Sequence, residues 1–415
     1  MTQSGMRLLT VTNLYPRPDQ PNRGLFNAHQ FLALATAGCS VSRTENRPRI
    51  SSFRNLCIVP EWRLWLWPRI RAWSDPFTRL LGTRYVPAFY IPVVGRNASW
   101  ITYTHALGQI EDLVRECDTL LATWLYPDAV AAATLARRNG KKLWIKVHGT
   151  DRFHLRNSGR RTRVMRAVAT AQGIVCNCRF MVEELATRGL PREKLRVVPN
   201  GVDTNRFRYR AREAAARELA QTARTDSGRA VESLPSRLGE LAQRKIILFV
   251  GNLVRVKGPD VFLTATGRLK EHGVEIVLIG NGPLRKRLEE LARGTGNSSR
   301  VHFLGERPQS EVALWMNVAD VLAVTSRSEG LPNVLLEALA AGLPVVTTDV
   351  GGCREAVAEE PYCRVVPPEN PVALARALQE VLAASPDRTA LAERHANKWS
   401  WAASAEALLS VLQAD

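Results

Sequence analysis

Glu329 and Glu337 stand eight residues apart in the run Ser328-Glu-Gly-Leu-Pro-Asn-Val-Leu-Leu-Glu337. Two carboxylates suggest acid–base work, but the residues between them are more informative. Pro332 suits a first helical turn, Val334 to Ala341 is apolar at helical length, Gly342 can close it, and Pro344 to Thr348 reads as the next strand. Glu329 is therefore expected in a loop and Glu337 on a helix. Backbone groups at Gly330, Leu331, Pro332 and Asn333 lie between them, where unpaired N–H groups and the positive end of the helix dipole favour an anion. Carboxylates beside an anion site suit hydroxyls. A sugar nucleotide supplies both, with diphosphate for the N–H groups and ribose or hexose hydroxyls for the glutamates. A solvated glutamate ahead of an ordinary capped helix produces the same local pattern.

Other loops follow strand-like runs, where ligands of open α/β sheets bind. After Ile246 to Val250 comes Gly251-Asn-Leu-Val-Arg-Val-Lys-Gly258, a glycine-bounded loop with two cations. Lys257 there could offset diphosphate charge, and Arg255 could assist. After Leu143 to Val147 comes His148-Gly-Thr-Asp151, where glycine admits a ligand to the backbone and the imidazole could donate to a reacting oxygen. Arg23-Gly24 follows the first strand at the same sheet edge. Each has a plainer reading: a surface lysine, a structural histidine, a loop with no ligand.

Positioning these loops requires strands that end beside them. Apolar runs at Arg7–Thr12, Thr119–Thr123, Leu143–Val147, Ile174–Asn177 and Arg196–Val198 are separated by helical stretches such as Asp128–Arg138 and Phe180–Arg188. Ile246–Val250, Glu275–Ile279, Val301–Leu304, Val321–Thr325 and Val345–Thr348 repeat the rhythm. Short apolar strands alternating with helices predict two doubly wound, Rossmann-like α/β domains with parallel sheets. The first spans 1–207, a helical linker 208–244, the second 245–398, and a last helix at 399–415 returns to the first. Prolines and arginines obscure the pattern from 43 to 100.

The 415 residues, 45% hydrophobic, suffice for two or three packed cores. Seven cysteines in no metal or redox spacing suit a reducing cytosol, and the chain is expected to be neither secreted nor membrane-spanning. Residues 1–207 hold 31 Lys and Arg against 14 Asp and Glu, a balance of +17, while 208–415 hold 26 against 25. A basic half beside a neutral one predicts two ligands, the first a polyanion or phosphorylated acceptor. Within it, Glu61 to Trp73 interleaves tryptophans with arginines, a pattern that fits an anionic membrane surface or a tryptophan-rich core edge. No nucleic-acid module accompanies these residues, and no nucleic-acid partner is expected.

Taken in order, the motifs resemble a retaining glycosyltransferase of family 4, also called the glycosyl transferases group 1. They are Asn13-Leu-Tyr-Pro16 with Arg23-Gly24, Trp124-Leu-Tyr-Pro-Asp128, Val147-His-Gly-Thr-Asp151, Val198-Pro-Asn-Gly-Val-Asp203, Gly251 to Gly258, Gly280-Asn-Gly-Pro283, Glu329 to Glu337, and Asp349-Val-Gly-Gly352. The resemblance implies a GT-B fold, with acceptor on the first domain and nucleotide sugar on the second across a cleft. It also implies that Lys257 contacts the diphosphate, Glu337 the ribose, Glu329 the transferred sugar, and His148 the reaction centre. Gly251, Asn252, Arg255, Gly330, Leu331, Pro332 and Asn333 would line the donor, Glu306 and Arg307 would meet the base, and Arg23 and Gly24 would lie on the acceptor side. Asn252 stands where many members have arginine. The implied reaction moves a sugar from a UDP- or GDP-sugar to a glycolipid or cell-surface polysaccharide with retention, with no cofactor beyond the co-substrate. No metal is expected, as no Asp-x-Asp motif is apparent. A sugar-nucleotide 2-epimerase and a non-catalytic nucleotide-sugar-binding protein are the competing readings.

Overall fold

The computed structural model describes residues 5–39, 50–91, 94–225, 243–269, 273–294 and 298–414, and the chain forms two compact units. The first comprises residues 1–201 together with 401–415. Its seven-stranded sheet has the order β3-β2-β1-β4-β5-β6-β7. The strands are β1 Met6–Thr12, β2 Ile50–Pro60, β3 Arg84–Ala88, β4 Thr119–Thr123, β5 Lys142–Lys146, β6 Gly173–Cys176 and β7 Leu195–Val197. Every pairing is parallel. The centre is apolar on both faces, as in β4 with all five residues buried, because helices cover both sides.

The Trp401–Gln413 helix packs on the Leu25–Cys39 helix in this unit. Its Ala405, Leu408, Leu409 and Leu412 share a core with Leu8, Phe31 and Leu34. Each Leu or Phe so buried contributes about 1.5–3 kcal/mol. Ser404 Oγ donates to the Pro199 carbonyl at 2.6 Å and accepts from Gln30 Nε2 at 3.1 Å, fixing the helix end.

The second unit, 202–400, has a six-stranded parallel sheet of order β10-β9-β8-β11-β12-β13. Its strands are β8 Lys245–Val250, β9 Val274–Ile279, β10 Val301–Gly305, β11 Val321–Val324, β12 Val345–Thr348 and β13 Arg364–Val366. The helices Pro259–Thr266 and Pro371–Ala383 pack together and against one face of this sheet through Phe262, Leu263, Leu374 and Leu378.

The stretch 208–244, expected as a linker, contributes the Arg212–Thr225 helix to this unit, packed on the Gln309–Val318 helix. Side-chain bonds explain the assignment of 202–225 to the second unit: Arg206 Nη1 reaches Gln309 Oε1 at 2.5 Å, the Arg210 amide reaches Asn317 Oδ1 at 2.7 Å, and Arg212 pairs with Asp320 at 2.7 Å. Residues 226–242 lie outside the described ones. Strands β2, β3 and β13 were not foreseen, and part of the obscure 43–100 stretch, 50–60, forms the neighbour of β1.

Each sheet reverses direction of winding once, between β1 and β4 and between β8 and β11. Loops diverge at such switch points and leave a crevice at the carboxyl ends of the strands.

Candidate functional site

At the switch point of the second unit, the loop after β8 meets the loop after β11. Gly251 leaves the strand at φ +158°, and a 3-10 turn at Arg255–Lys257 leads to Gly258 at φ +65°. A Cβ on Gly258 would lie 2.0 Å from the Thr325 carbonyl oxygen, so this close approach requires glycine. Thr325 Oγ1 donates to the Gly258 carbonyl at 2.9 Å, and Arg327 donates to the Arg255 carbonyl at 2.7 Å. Arg327 also holds Asp260 at 2.8 and 2.9 Å, which pushes the arginine pKa up. The two loops are thereby one rigid assembly, across which Lys257 Nζ pairs with Glu329 Oε1 at 2.6 Å. Ser326 Oγ donates to the same oxygen at 2.6 Å.

Further strand ends join the assembly. Gly280 sits so close to Gly251 that its Cβ would meet that carbonyl oxygen at 2.0 Å, and its amide donates to Gly305 at 2.8 Å. The loop carrying Glu306 and Arg307 is thus connected to the Gly251–Gly258 loop. Glu306 is exposed, and Arg307 lies 3.9 Å from Glu311. On the other side, the Gly352 amide donates to Gly330 at 2.6 Å.

Pro332, expected in the first helical turn, is instead the N-cap, extended at ψ 125°, and the helix is Asn333–Ala340. Gly330, Leu331 and Pro332 are buried just ahead of it, with Asn333 half-buried. Asn252 and Arg255 are exposed on the opposite loop. Glu337 lies one turn into the helix, half-buried. Desolvation pushes its carboxyl up to about 7, offset in part by the Arg206 guanidinium. A carboxyl so placed suits a hydroxyl donor. The arrangement offers a cation, a helix terminus and two carboxylates at one sheet edge, a set matched to a diphosphate flanked by hydroxyls.

The first unit carries its own cluster at its switch point. Asp128, buried after β4, accepts from the Asn13 amide and Asn13 Nδ2, both at 2.9 Å, tying the β1 and β4 loops together. His148 is buried after β5. Its amide donates to Asp151 Oδ2 at 2.7 Å, while Asp151 Oδ1 accepts from the Leu125 amide at 2.6 Å. The ring packs edge-on against Phe26 and beside Trp124, and its Nε2 is buried with no hydrogen-bond partner. Burial, then the nearby Lys146, drives its pKa well below the usual imidazole value, so the ring is neutral. Lys146 is itself buried against Gln30 Oε1 and its pKa falls to about 7 through desolvation. A neutral imidazole with one uncommitted nitrogen is suited to a ligand hydroxyl.

Arg23 and Gly24 begin the turn into the Leu25–Cys39 helix. Gly24 adopts φ +64° against the Leu14 carbonyl, and Arg23 Nη2 donates to the Asn13 carbonyl at 3.3 Å. Thus the second unit gathers Lys257, Glu329 and the backbone ahead of Glu337, whereas His148, Arg23 and Gly24 lie in the first. Sequence reasoning assigned no role to Ser326, Arg327, Asn13, Asp128 or Asp151. All five follow strand ends, the signal that could have found them.

Two parallel-sheet α/β units, each with its polar loops at a switch point, define the class of GT-B proteins. Residues 71–206 match the family described as Glycosyltransferase Family 4, and residues 231–398 match Glycosyl transferases group 1. The chain belongs to this group 1/family 4 set of glycosyltransferases. Among relatives, it is 40% identical over 195 residues to the D-inositol 3-phosphate glycosyltransferase of Corynebacterium urealyticum, covering 44% of this chain and 46% of that one. It is 32% identical over 259 residues to the enzyme of that name from Salinispora tropica, covering 59% and 51%. The matched stretches span about half the length of these curated relatives. In fold it is similar to Anabaena Alr3699/HepE, solved with UDP and glucose, at TM-score 0.70 and 17% identity over 99% of this chain and 100% of that one. It is also similar to sucrose-phosphate synthase from Thermosynechococcus elongatus, at TM-score 0.71 and 19% identity over 98% of each chain. Among the described residues no helix is long and apolar enough to cross a membrane.

Proposed function

We propose that the chain transfers a hexose from a nucleoside diphosphate sugar to an acceptor hydroxyl with retention of configuration and without a divalent metal. The observation that carries this reading is the Lys257–Glu329 pair beside the Asn333–Ala340 helix start, on loops locked together by close glycine contacts. The diphosphate lies on the backbone ahead of that helix, with Lys257 and Arg255 opposing its charge. Glu337 takes the ribose, Glu329 orients the sugar, and Glu306 and Arg307 border the base. UDP is the favoured nucleotide, since a fold relative is solved with UDP and glucose.

In the reaction the bond from the anomeric carbon to the diphosphate oxygen breaks, and its electron pair leaves with the diphosphate. The acceptor oxygen bonds to that carbon on the same face and gives its proton to a phosphate oxygen. Charge developing on the leaving group is what Lys257 and the helix terminus stabilise. His148, buried and uncharged in the first unit, offers Nε2 to a substrate hydroxyl.

The acceptor is anionic. The +17 balance of residues 1–207 supports this, as do relatives named for D-inositol 3-phosphate; a glycolipid or cell-surface polysaccharide acceptor fits the same charge. The reading includes a cytoplasmic location with peripheral contact to an anionic membrane, supported by the exposed Trp62, Leu64 and Trp65.

The test is UDP release from UDP-glucose with and without D-inositol 3-phosphate or an acidic glycolipid. Release that requires acceptor is expected. Turnover of the nucleotide sugar alone, with a 2-epimer formed, would identify an epimerase, and UDP-glucose binding without any turnover a binding protein.

A further inference from the structure

A cavity of about 410 Å³ opens in the first unit at the carboxyl end of β2, lined by Arg17, Arg63, Arg69 and Trp73. Arg17 is only 7% exposed, and its Nε has no hydrogen-bond partner in the protein. Its Nη2 reaches Asp19 at 3.0 Å, and its guanidinium carbon lies 5.9 Å from the centre of the Trp73 ring. Arg63 is held by Glu61 at 2.8 and 2.9 Å. Arg69 is exposed and stands in no ion pair among the described residues. Three guanidinium groups therefore face two carboxylates, and Leu66 and Ile70 complete an apolar wall.

Guanidinium groups fit carboxylate and phosphate oxygens, and three of them line this cavity. Trp73 and the aliphatic wall suit an apolar or ring-shaped body attached to that anion. Gln20, which also lines the cavity, accepts from the Arg23 amide at 3.1 Å and from Arg23 Nη1 at 3.3 Å. The cavity wall is thus bonded to the loop expected on the acceptor side.

We infer that this cavity binds an acidic group, carboxylate or phosphate, carried by the acceptor, at a place separate from the sugar-accepting hydroxyl. The inference rests on the reading that the first unit takes the acceptor. The anion could belong to a soluble ester or to a lipid headgroup.

The experiment titrates the full chain calorimetrically with phenyl phosphate, with benzyl alcohol as the neutral match, and measures co-sedimentation with phosphatidylglycerol vesicles. Wild type, Arg63→Ala/Arg69→Ala and Lys257→Ala are compared; both arginines are exposed, so the double variant folds. Saturable phenyl phosphate binding is expected, about tenfold weaker in the arginine variant, unchanged in Lys257→Ala, and absent for benzyl alcohol. Vesicle binding that falls in the arginine variant, without phenyl phosphate binding, supports the site with a lipid source. Phenyl phosphate binding lost only in Lys257→Ala overturns the inference while leaving the donor reading intact, since the anion has then gone to the donor loop. No loss in the arginine variant with either probe overturns it as well.

Discussion

Lys257 Nζ lies 2.6 Å from Glu329 Oε1, joining two loops whose residues are seventy-two apart in sequence. A lysine that is to oppose a diphosphate therefore starts with a carboxylate partner, and that carboxylate repels the diphosphate. Glu329→Gln removes the repulsion and also the sugar's orienting group. UDP should bind about tenfold tighter to the variant while transfer falls by at least that factor, measured by calorimetry and initial rates. Weaker UDP binding would mean that Glu329 serves to position Lys257.

Glu337 titrates at about 7 in the folded chain against 4.5 ordinarily. Between those values the folded state holds the extra proton. Stability is full below about pH 4.5 and declines as pH rises toward 7. Glu337→Gln should match wild type in Tm at low pH and exceed it near pH 8, followed by circular dichroism. Parallel curves for the two proteins would contradict the desolvated carboxyl.

Gly258→Ala should destabilise the second unit. A left-handed residue other than glycine costs roughly 1–2 kcal/mol, and the contact with the Thr325 carbonyl adds to it. Urea unfolding should register the loss, with UDP affinity falling in parallel because the two loops separate.

Trp65 is 70% exposed and Trp62 53%, and their rings meet edge-on at 6.0 Å. Trp67, in the same run, is half-buried with its indole nitrogen enclosed. Trp62→Ser with Trp65→Ser should therefore reduce co-sedimentation with anionic vesicles, and Trp67→Ser should lower Tm instead. Unchanged sedimentation of the double variant would remove the membrane contact from the account.

The central strands of both sheets were legible because burial on two faces makes them continuous apolar runs, as in Ile246–Val250. The strand β2 was not, since Ser51, Arg54 and Asn55 interrupt it, with Ser51 and Arg54 on its partly exposed stretch. The edge strands β3 and β13 are short, and Pro87 in β3 is tolerated there because an edge leaves N–H positions unpaired. Glu329, Lys257 and His148 could be singled out by their place after strands, but the ion pair and the orphaned imidazole nitrogen depend on strand order. The arginines of 61–73 read as a membrane pattern, yet Arg63 and Arg69 turn to a cavity and Arg71 bonds Gln109, which no local spacing encodes.

Diphosphate binding at Lys257 is tested most directly by calorimetric titration of UDP into wild type and Lys257→Ala. Ser326 Oγ still donates to Glu329 when Lys257 is removed, and a Tm close to that of wild type checks that the variant is folded. Wild type should bind UDP saturably, with affinity at least about tenfold weaker in the variant and transfer reduced by orders of magnitude. Equal affinity in the two proteins, or no UDP binding by wild type, would contradict it.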